Sequence, residues 1–269
     1  MASASTPDPV VAAKAYEDVL VPALMSEWAP RLVAAASIRP GHHVLDVACG
    51  TGVLTRAAAA AVTSTGSVIG LDVDPGMLAI AKATRPDLQW QQGSASELPF
   101  PDASFDAVVS QFGLMFFPSA PIALAEMWRV LKPGGRMAVA VWASLDVTPA
   151  YNAETELIER IAGAPATAPL RLPFRLGDRV AFEAQFAEAG VPLSSIATVV
   201  GTGRFPSIRA MVEADIVGWL PLMGVHLPAS TVETILREAE RDLASYRQAD
   251  GTVSFASPAH LAVAVRGTR

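Results

Sequence analysis

Short apolar runs alternate with stretches of helical periodicity through the first half of the chain. The apolar runs are rich in β-branched residues and are bounded by Gly, Pro and Asp, which is typical of buried strands; they cover 43–47, 67–71, 88–91, 105–110 and 136–142. Helical stretches lie between them at 54–62, 76–83 and 120–130. Strands that alternate with helices predict an α/β fold, a mostly parallel sheet with helices on both faces.

Two regions flank this alternation and differ from it in pattern. Residues 11–37 follow a helical pattern that Pro22 is expected to break into two helices. After Trp142 we predict helices at 150–162, 179–189, 207–222 and 230–249, a loop at 163–170, and β-like runs at 195–200 and 253–265. We therefore divide the chain into N-terminal helices (1–37), a central core (38–145) and a region that completes the sheet and inserts a helical cap (146–269).

Composition narrows the class of partner. Hydrophobic residues make up 51% of the 269 residues, enough for a large core, and the net charge is −6. The 20 Lys and Arg are scattered and form no basic stripe, which argues against a nucleic-acid partner. The single cysteine, Cys49, fits a reducing cytoplasm. Without a signal-peptide pattern or a long apolar run, we expect a cytoplasmic monomer or homodimer that has no stable membrane association and acts on a small molecule.

The first predicted strand runs directly into a glycine-rich turn, Asp46-Val47-Ala48-Cys49-Gly50-Thr51-Gly52, and a helix follows. Such a turn lets a nucleotide approach the backbone and meet free N–H groups at the helix start. Thr55 stands where a dinucleotide fingerprint has a third Gly or Ala. Asp46 would repel a pyrophosphate, but it suits the ammonium group of a methionine moiety, directly or through water. The alternative is a tight structural turn with an incidental Asp46.

Two more carboxylates follow the second predicted strand. Asp72 lies 20 residues after Gly52, where an acid at the strand end accepts the ribose hydroxyls of an adenosine. Asp74 is placed to cap the helix that starts near Pro75. The alternative for both is a solvated loop carboxylate.

Five motifs occur in a fixed order along the chain, at 46–52, 70–72, 98–102, 104–106 and 131–135. Together they resemble class I S-adenosylmethionine-dependent methyltransferases, of the group related to ubiquinone/menaquinone C-methyltransferases (methyltransferase type 11-like). The resemblance covers roughly residues 11–142. It implies a Rossmann-like sheet of seven strands, mostly parallel, with an antiparallel last strand and a helical cap.

The resemblance also implies S-adenosylmethionine as the cofactor, bound along the glycine turn. Asp46, Ala48 and Gly50 hold its methionine end, and Thr51 and Gly52 complete the turn. The remaining implied contacts are Asp72 to the ribose, Val73 and Met77 flanking the adenine, Ser94 and the Ala95 N–H at the adenine edge, Gln111 near the sulfonium, and Tyr16 and Trp28 closing over the cofactor. Ser94 departs from the Asp that many relatives carry there, although its hydroxyl can still accept the bond. Met77, Tyr16 and Trp28 have core packing as an equal alternative.

Aromatic residues near the predicted strand ends indicate where the acceptor binds. Phe112, Phe116 and Trp142, with Trp219 from the predicted cap, make an apolar pocket for an aromatic or lipid-like acceptor; core packing is the alternative. His226 and Tyr16 are the candidates for a general base. The four histidines are dispersed without metal-ligand spacing, so no metal site is predicted.

These features predict an enzyme that moves a methyl group from S-adenosylmethionine to a small, apolar or aromatic acceptor by in-line displacement and leaves S-adenosylhomocysteine. One alternative is a protein that binds S-adenosylmethionine but catalyses a reaction other than methylation, since the cofactor site would look the same. Another is an NAD(P)-dependent oxidoreductase, against which Asp46 and Thr55 count.

Overall fold

Seven strands form one mixed sheet in the computed structural model, which describes residues 9–268. The strands are β1 (His43–Val47), β2 (Ser67–Asp72), β3 (Gln89–Gln92), β4 (Phe105–Gln111), β5 (Leu131–Trp142), β6 (Leu193–Phe205) and β7 (Val253–Val265). Their spatial order is β3-β2-β1-β4-β5-β7-β6. Neighbours from β3 to β5 pair in parallel, and β7 runs antiparallel to both β5 and β6. The predicted α/β fold with an antiparallel last strand is confirmed.

Helices pack around this sheet and supply the cap. They are α1 (Pro9–Ala15), α2 (Ala29–Ala35), α3 (Val53–Val62), α4 (Pro75–Thr84), α5 (Ala120–Val130), α6 (Pro149–Ala162), α7 (Ala164–Arg171), α8 (Arg179–Glu188), α9 (Ile208–Glu213), α10 (Leu220–Leu222) and α11 (Ala229–Asp242). Two stretches are π-helical, a first π segment (Tyr16–Met25) and a second π segment (Ala214–Trp219), and they contact each other. π-Helical segments are rare in proteins, and those that occur often lie at functional sites.

The N-terminal helices break at a different residue from the one expected. The first π segment continues through Pro22 and ends at Met25, and its C-cap Ser26 donates its N–H to the Val21 carbonyl over 2.9 Å. Burial of Val21, Leu24 and Met25 accompanies this continuation. Apolar burial outweighs the one hydrogen bond that a proline cannot make. Residues 1–8 of the predicted N-terminal unit lie outside the described residues.

The prediction of a loop at 163–170 is wrong, because helix α7 occupies this stretch. Pro165 stands in the first turn of α7, where its missing N–H has no intrahelical partner to lose. Ala166, Thr167 and Leu170 are buried, and α7 packs on α6. The helix expected over 230–249 ends early, at Asp242, and a short 3-10 turn (Ala244–Tyr246) follows it.

Residues 132–135 form a bulge inside β5. Leu131 pairs with Phe105 and Arg136 with Ala107, so β5 carries more residues than β4 over this interval. Gly134 has a φ of 81°, a left-handed conformation that glycine adopts without strain. Within residues 9–268, no helix is both long enough and apolar enough to cross a membrane.

Candidate functional site

The glycine turn joins the end of β1 to the start of α3 through left-handed backbone conformations. Ala48, Gly50 and Gly52 have φ values of 58°, 55° and 90°. A Cβ at Gly52 would lie 2.3 Å from the half-buried Trp90 ring, whereas a Cβ at Gly50 would meet no described atom within 4 Å. Gly52 is therefore required by packing, and open space lies beside the backbone at Gly50.

Asp46 is fully buried at the end of β1, immediately before this turn. The Thr55 hydroxyl donates to its Oδ2 over 2.6 Å. Its Oδ1 is buried and has no hydrogen-bond partner among the described residues. Burial raises the pKa of Asp46 to about 7, although the Thr55 bond opposes this shift. The free oxygen therefore suits a ligand that donates hydrogen bonds and carries positive charge.

Asp72 connects the end of β2 to the glycine turn. Its Oδ2 accepts the Gly50 N–H over 2.7 Å, and its Oδ1 accepts the Asp74 N–H over 2.9 Å. Burial raises its pKa, while these backbone bonds oppose the shift. Asp74 accepts the N–H groups of Gly76 and Met77 and caps α4, as predicted. Each Asp72 oxygen keeps a second lone pair, so the carboxylate can still accept a ligand hydroxyl.

The residues predicted to flank an adenine lie on the loops that follow β2 and β3. Val73 is 69% exposed and Met77 is half-buried. Ser94 is exposed, and its hydroxyl accepts the Ser96 N–H over 3.2 Å; Ala95 is buried. These loops border the Asp72 end of the turn, and the adenine contacts stay predictions.

Gln111 ends β4 and reaches the first π segment. Its Nε2 donates to the Met25 carbonyl over 2.9 Å, and its Oε1 is buried without a partner in the described part of the chain. The next residue, Phe112, has a φ of 56°, which is unusual for a bulky side chain and marks backbone strain at the strand end. Gly113 follows, and a Cβ there would lie 2.5 Å from the Ala48 Cβ. The ends of β1 and β4 are therefore in close contact.

A cavity of about 100 Å³ lies beside Phe112. It is enclosed by both π segments, the end of β5 and the cap, and its lining residues are Tyr16, Leu20, Leu24, Met25, Phe112, Phe116, Trp142, Tyr151, Leu170, Pro173, Phe174, Asp215, Trp219 and Ser257. The four predicted acceptor residues, Phe112, Phe116, Trp142 and Trp219, all line it. Their role in binding an acceptor stays a prediction, but the structure brings them together around one space.

Trp28 packs against two of the residues that line this cavity. Phe112 and Trp142 stack with ring centroids 3.6 Å apart, and Trp28 meets both edge-on at 5.5 and 5.9 Å. Trp28 is fully buried, and a Cβ at Gly201 would lie 2.6 Å from its ring. Its observed role is packing, since it exposes no surface to a ligand.

The two candidates for a general base are placed differently. Tyr16 lines the cavity, and burial, with the charge of Asp72 adding to it, raises its pKa far above the usual range. A phenol of this kind keeps its proton at neutral pH, so it can donate a hydrogen bond to a ligand but does not serve as a base. His226 is exposed between α10 and α11 and does not line the cavity. Across residues 9–268, no group of three or more His, Cys, Asp or Glu is arranged to hold a metal ion.

The sequence analysis missed three residues that shape the site. Trp90 packs on Gly52 and Gly70, and no local pattern indicated that contact. Asp215 lines the cavity, and Glu154 lies against it from α6. Both carboxylates interrupt helical stretches that bury apolar residues, a signal that could have identified them.

Comparison with known proteins assigns the central segment. Residues 45–139 match the family model of a methyltransferase domain. A demethylmenaquinone methyltransferase from Symbiobacterium thermophilum is 44% identical over 128 residues, which are 45% of this chain and 51% of that protein. Another demethylmenaquinone methyltransferase, from Renibacterium salmoninarum, is 41% identical over 149 residues, 55% of this chain and 62% of that one. The chain thus spans between half and two thirds of the length of these relatives.

The whole described fold also has solved counterparts. An N-methyltransferase from Haemonchus contortus, in complex with S-adenosylhomocysteine, aligns with a TM-score of 0.58 over 96% of this chain and 57% of that chain. The two sequences are 17% identical, so this likeness shows the fold alone.

Proposed function

We propose, on the premise that residues 45–139 form a methyltransferase domain of the class I S-adenosylmethionine-dependent family, that this chain methylates a small aromatic acceptor of quinone type. The observation that carries the proposal is the buried Asp46 carboxylate, which has one unpartnered oxygen within the described residues and lies at the glycine turn. The quinone-type acceptor follows from the names of the relatives and from the aromatic cavity.

The residues at the turn fit the cofactor. Asp46 Oδ1 and Gln111 Oε1 are both buried acceptors without a partner in the described chain, and an α-ammonium group donates three hydrogen bonds. Asp72 has lone pairs available for the ribose hydroxyls, and the open space at Gly50 admits a ligand to the backbone. When bound, S-adenosylmethionine supplies a methyl group on a positively charged sulfur, which is activated for in-line displacement.

The cavity supplies the remaining requirements of this reaction. Its aromatic wall, led by the stacked Phe112 and Trp142, binds a flat apolar ring and excludes water. Tyr16 belongs to this wall and lies in the field of Asp72, so the cavity and the ribose end of the turn are neighbours. Walls that hold the acceptor in one orientation lower the barrier to methyl transfer, because the reacting atoms are already aligned.

The site does not favour a nicotinamide cofactor. Thr55 fills the third small-residue position of a dinucleotide fingerprint, and its hydroxyl is committed to Asp46. The buried Asp46 would face the phosphates of such a cofactor. We place the reaction in a reducing cytoplasm, which the free Cys49 suits.

The proposal is tested by incubating the chain with S-adenosylmethionine labelled in its methyl group and a panel of naphthoquinols, phenols and amines. We expect label in a quinol or phenol product and an equal amount of S-adenosylhomocysteine. An Asp46→Asn variant should lose this activity, whereas Asp87→Asn, a charge change on the surface, should keep it. Binding of S-adenosylmethionine that forms neither a labelled product nor S-adenosylhomocysteine would favour the non-methylating alternative.

A further inference from the structure

Asp215 is the one charged side chain among the described residues that line the cavity. It stands on the second π segment, four residues before Trp219, and is 8% exposed. Every other lining residue is apolar, aromatic or a serine. A carboxylate in such surroundings loses most of its hydration, and a structure retains it only where it has a partner or a task.

Glu154 of α6 lies behind Asp215 and is 1% exposed. No donor in the described part of the chain reaches either Glu154 oxygen. The group that it faces is Asp215, itself an acceptor when ionised, so a hydrogen bond between the two carboxyls requires one of them to hold a proton. Two carboxylates this close cannot both ionise at little cost.

The surroundings of Glu154 and Asp215 raise their pKa values by different amounts, and this difference determines which carboxyl holds the proton. Burial, with the charge of Asp215 adding to it, raises the pKa of Glu154 well above its usual range. Burial raises the pKa of Asp215 to about 7, and the hydrogen bond from Glu154 limits that rise. Tyr151, which also lines the cavity, has its pKa raised by burial and then by Asp215 and Glu154. Glu154 and Tyr151 are therefore proton donors near neutral pH, and Asp215 is the acceptor.

We propose that Asp215 accepts the proton of an aromatic hydroxyl on the acceptor, and that Glu154 is the positioning residue that holds Asp215 through a hydrogen bond. This inference rests on the proposed function and names the group that removes the proton. The titratable side chains that face Asp215 are Glu154 and Tyr151 from α6, and Tyr16 lines the same cavity from the first π segment. None of them is basic, and Asp215 forms no ion pair within residues 9–268, so no cation of the described chain neutralises the carboxylate.

The proton transfer balances the charge of the methyl transfer. The acceptor's O–H bond breaks, the proton goes to an Asp215 oxygen, and the electron pair stays on the acceptor oxygen. That pair forms the new bond to the methyl carbon, either at the oxygen or at a ring carbon conjugated with it. The bond between methyl carbon and sulfur breaks with its electrons left on sulfur. On the carbon route the ring carbon then loses its C–H proton to water, and the oxygen takes back the proton held by Asp215. A base with a pKa near the working pH is suited to this step.

The test uses equilibrium binding of 2-naphthol to the full chain saturated with S-adenosylhomocysteine, followed by naphthol fluorescence. Like the phenol of tyrosine, naphthol stays protonated between about pH 5.5 and about pH 8.5, while Asp215 ionises within that range. Because the naphthol hydroxyl donates a hydrogen bond to the ionised carboxylate, the affinity for naphthol should rise about tenfold between the lower and the upper pH. Naphthalene, which lacks the hydroxyl, should show no such rise.

Three variants and a control assign the effect. Asp215→Asn should bind naphthol with an affinity independent of pH. Glu154→Leu removes the donor to Asp215 and should move the midpoint to higher pH, whereas Glu154→Gln keeps an N–H donor and should restore a midpoint close to that of the wild type. Glu213→Gln alters a neighbouring glutamate whose side chain is 39% exposed, and it should leave the pH dependence unchanged.

Several results would overturn the inference. The first is naphthol binding that is absent, or independent of pH, in the wild-type chain. The second is binding of 1-naphthylmethylamine that is tighter than that of naphthol and depends on Asp215, which would identify an ammonium site. If Asp215→Asn does not fold, equal midpoints for Glu154→Leu and Glu154→Gln would decide against it. Calorimetry with S-adenosylhomocysteine distinguishes failure of this inference from failure of the proposed function. If the wild-type chain does not bind S-adenosylhomocysteine, the proposed function itself is refuted.

Discussion

The Thr55 hydroxyl donates a 2.6 Å hydrogen bond to Oδ2 of the fully buried Asp46, and Oδ1 of the same carboxylate has no partner among the described residues. Helix α3 thus orients one oxygen of Asp46 and leaves the other for a ligand. This pair explains why a threonine stands where a dinucleotide site has glycine or alanine.

Replacement of Thr55 by valine should destabilise the fold, because the buried Asp46 carboxyl then loses the only side-chain donor that reaches it among the described residues. We expect a loss of about 1–3 kcal/mol in the free energy of unfolding, measured by urea denaturation. Thr51→Val is the matched control, since the Thr51 hydroxyl is buried and without a partner in the described chain, and its removal should be nearly neutral. Equal losses in the two variants would show that the Thr55 bond contributes nothing.

Binding of S-adenosylmethionine should release a proton from Asp46. Burial raises the pKa of Asp46 to about 7, so the carboxyl of the free chain is mostly protonated near about pH 6. An ammonium group beside it favours the charged form and lowers that pKa. Calorimetry in buffers of different ionisation enthalpy should find up to about one proton released near pH 6 and almost none above about pH 8.

The Asp46→Asn variant is the control for this linkage, because it removes the titrating group and keeps the side-chain shape. Its binding should be weaker and should release no proton at either pH. Proton release that persists in Asp46→Asn would assign the linkage to another group.

Truncation of Phe116 should weaken acceptor binding with little effect on stability. Its side chain lines the cavity, meets Trp219 at 5.5 Å and is 41% exposed, so Phe116→Ala removes wall surface without opening the core. We expect the acceptor KM to rise about tenfold while the free energy of unfolding changes by less than about 1 kcal/mol. Ile122→Ala, an exposed apolar change that is not in the cavity wall, should alter neither.

The sequence predicts those parts of the site that depend on short-range geometry. Asp46 and the glycines share one strand–turn–helix unit, and Asp74 caps the helix that begins beside it. The order of strands and helices determines that β1, β2 and β4 end at the same edge. These features follow from local pattern and from the handedness of parallel connections.

The remaining features depend on contacts between distant parts of the chain. Pro22 does not end the first helix, and 163–170 is helical rather than a loop, because burial outweighs local propensity in both places. Trp90 reaches Gly52 only once β3 is in the sheet, and Asp215 meets Glu154 only when the second π segment packs in the cap. His226 was a candidate base by residue type alone, and it is exposed and does not line the cavity.

The central claim is that the turn from Asp46 to Gly52 binds S-adenosylmethionine, with Asp72 on the ribose. Isothermal titration of S-adenosylmethionine, S-adenosylhomocysteine and NADH into the wild type, Asp72→Asn and Asp74→Asn tests it most directly. We predict that both adenosyl ligands bind the wild type and that NADH does not. Asp72→Asn should weaken the binding of both adenosyl ligands by about 1–3 kcal/mol. Asp74→Asn can still cap α4 and should leave their affinities unchanged. Binding of NADH without S-adenosylmethionine, or an unchanged affinity in Asp72→Asn, would contradict the account.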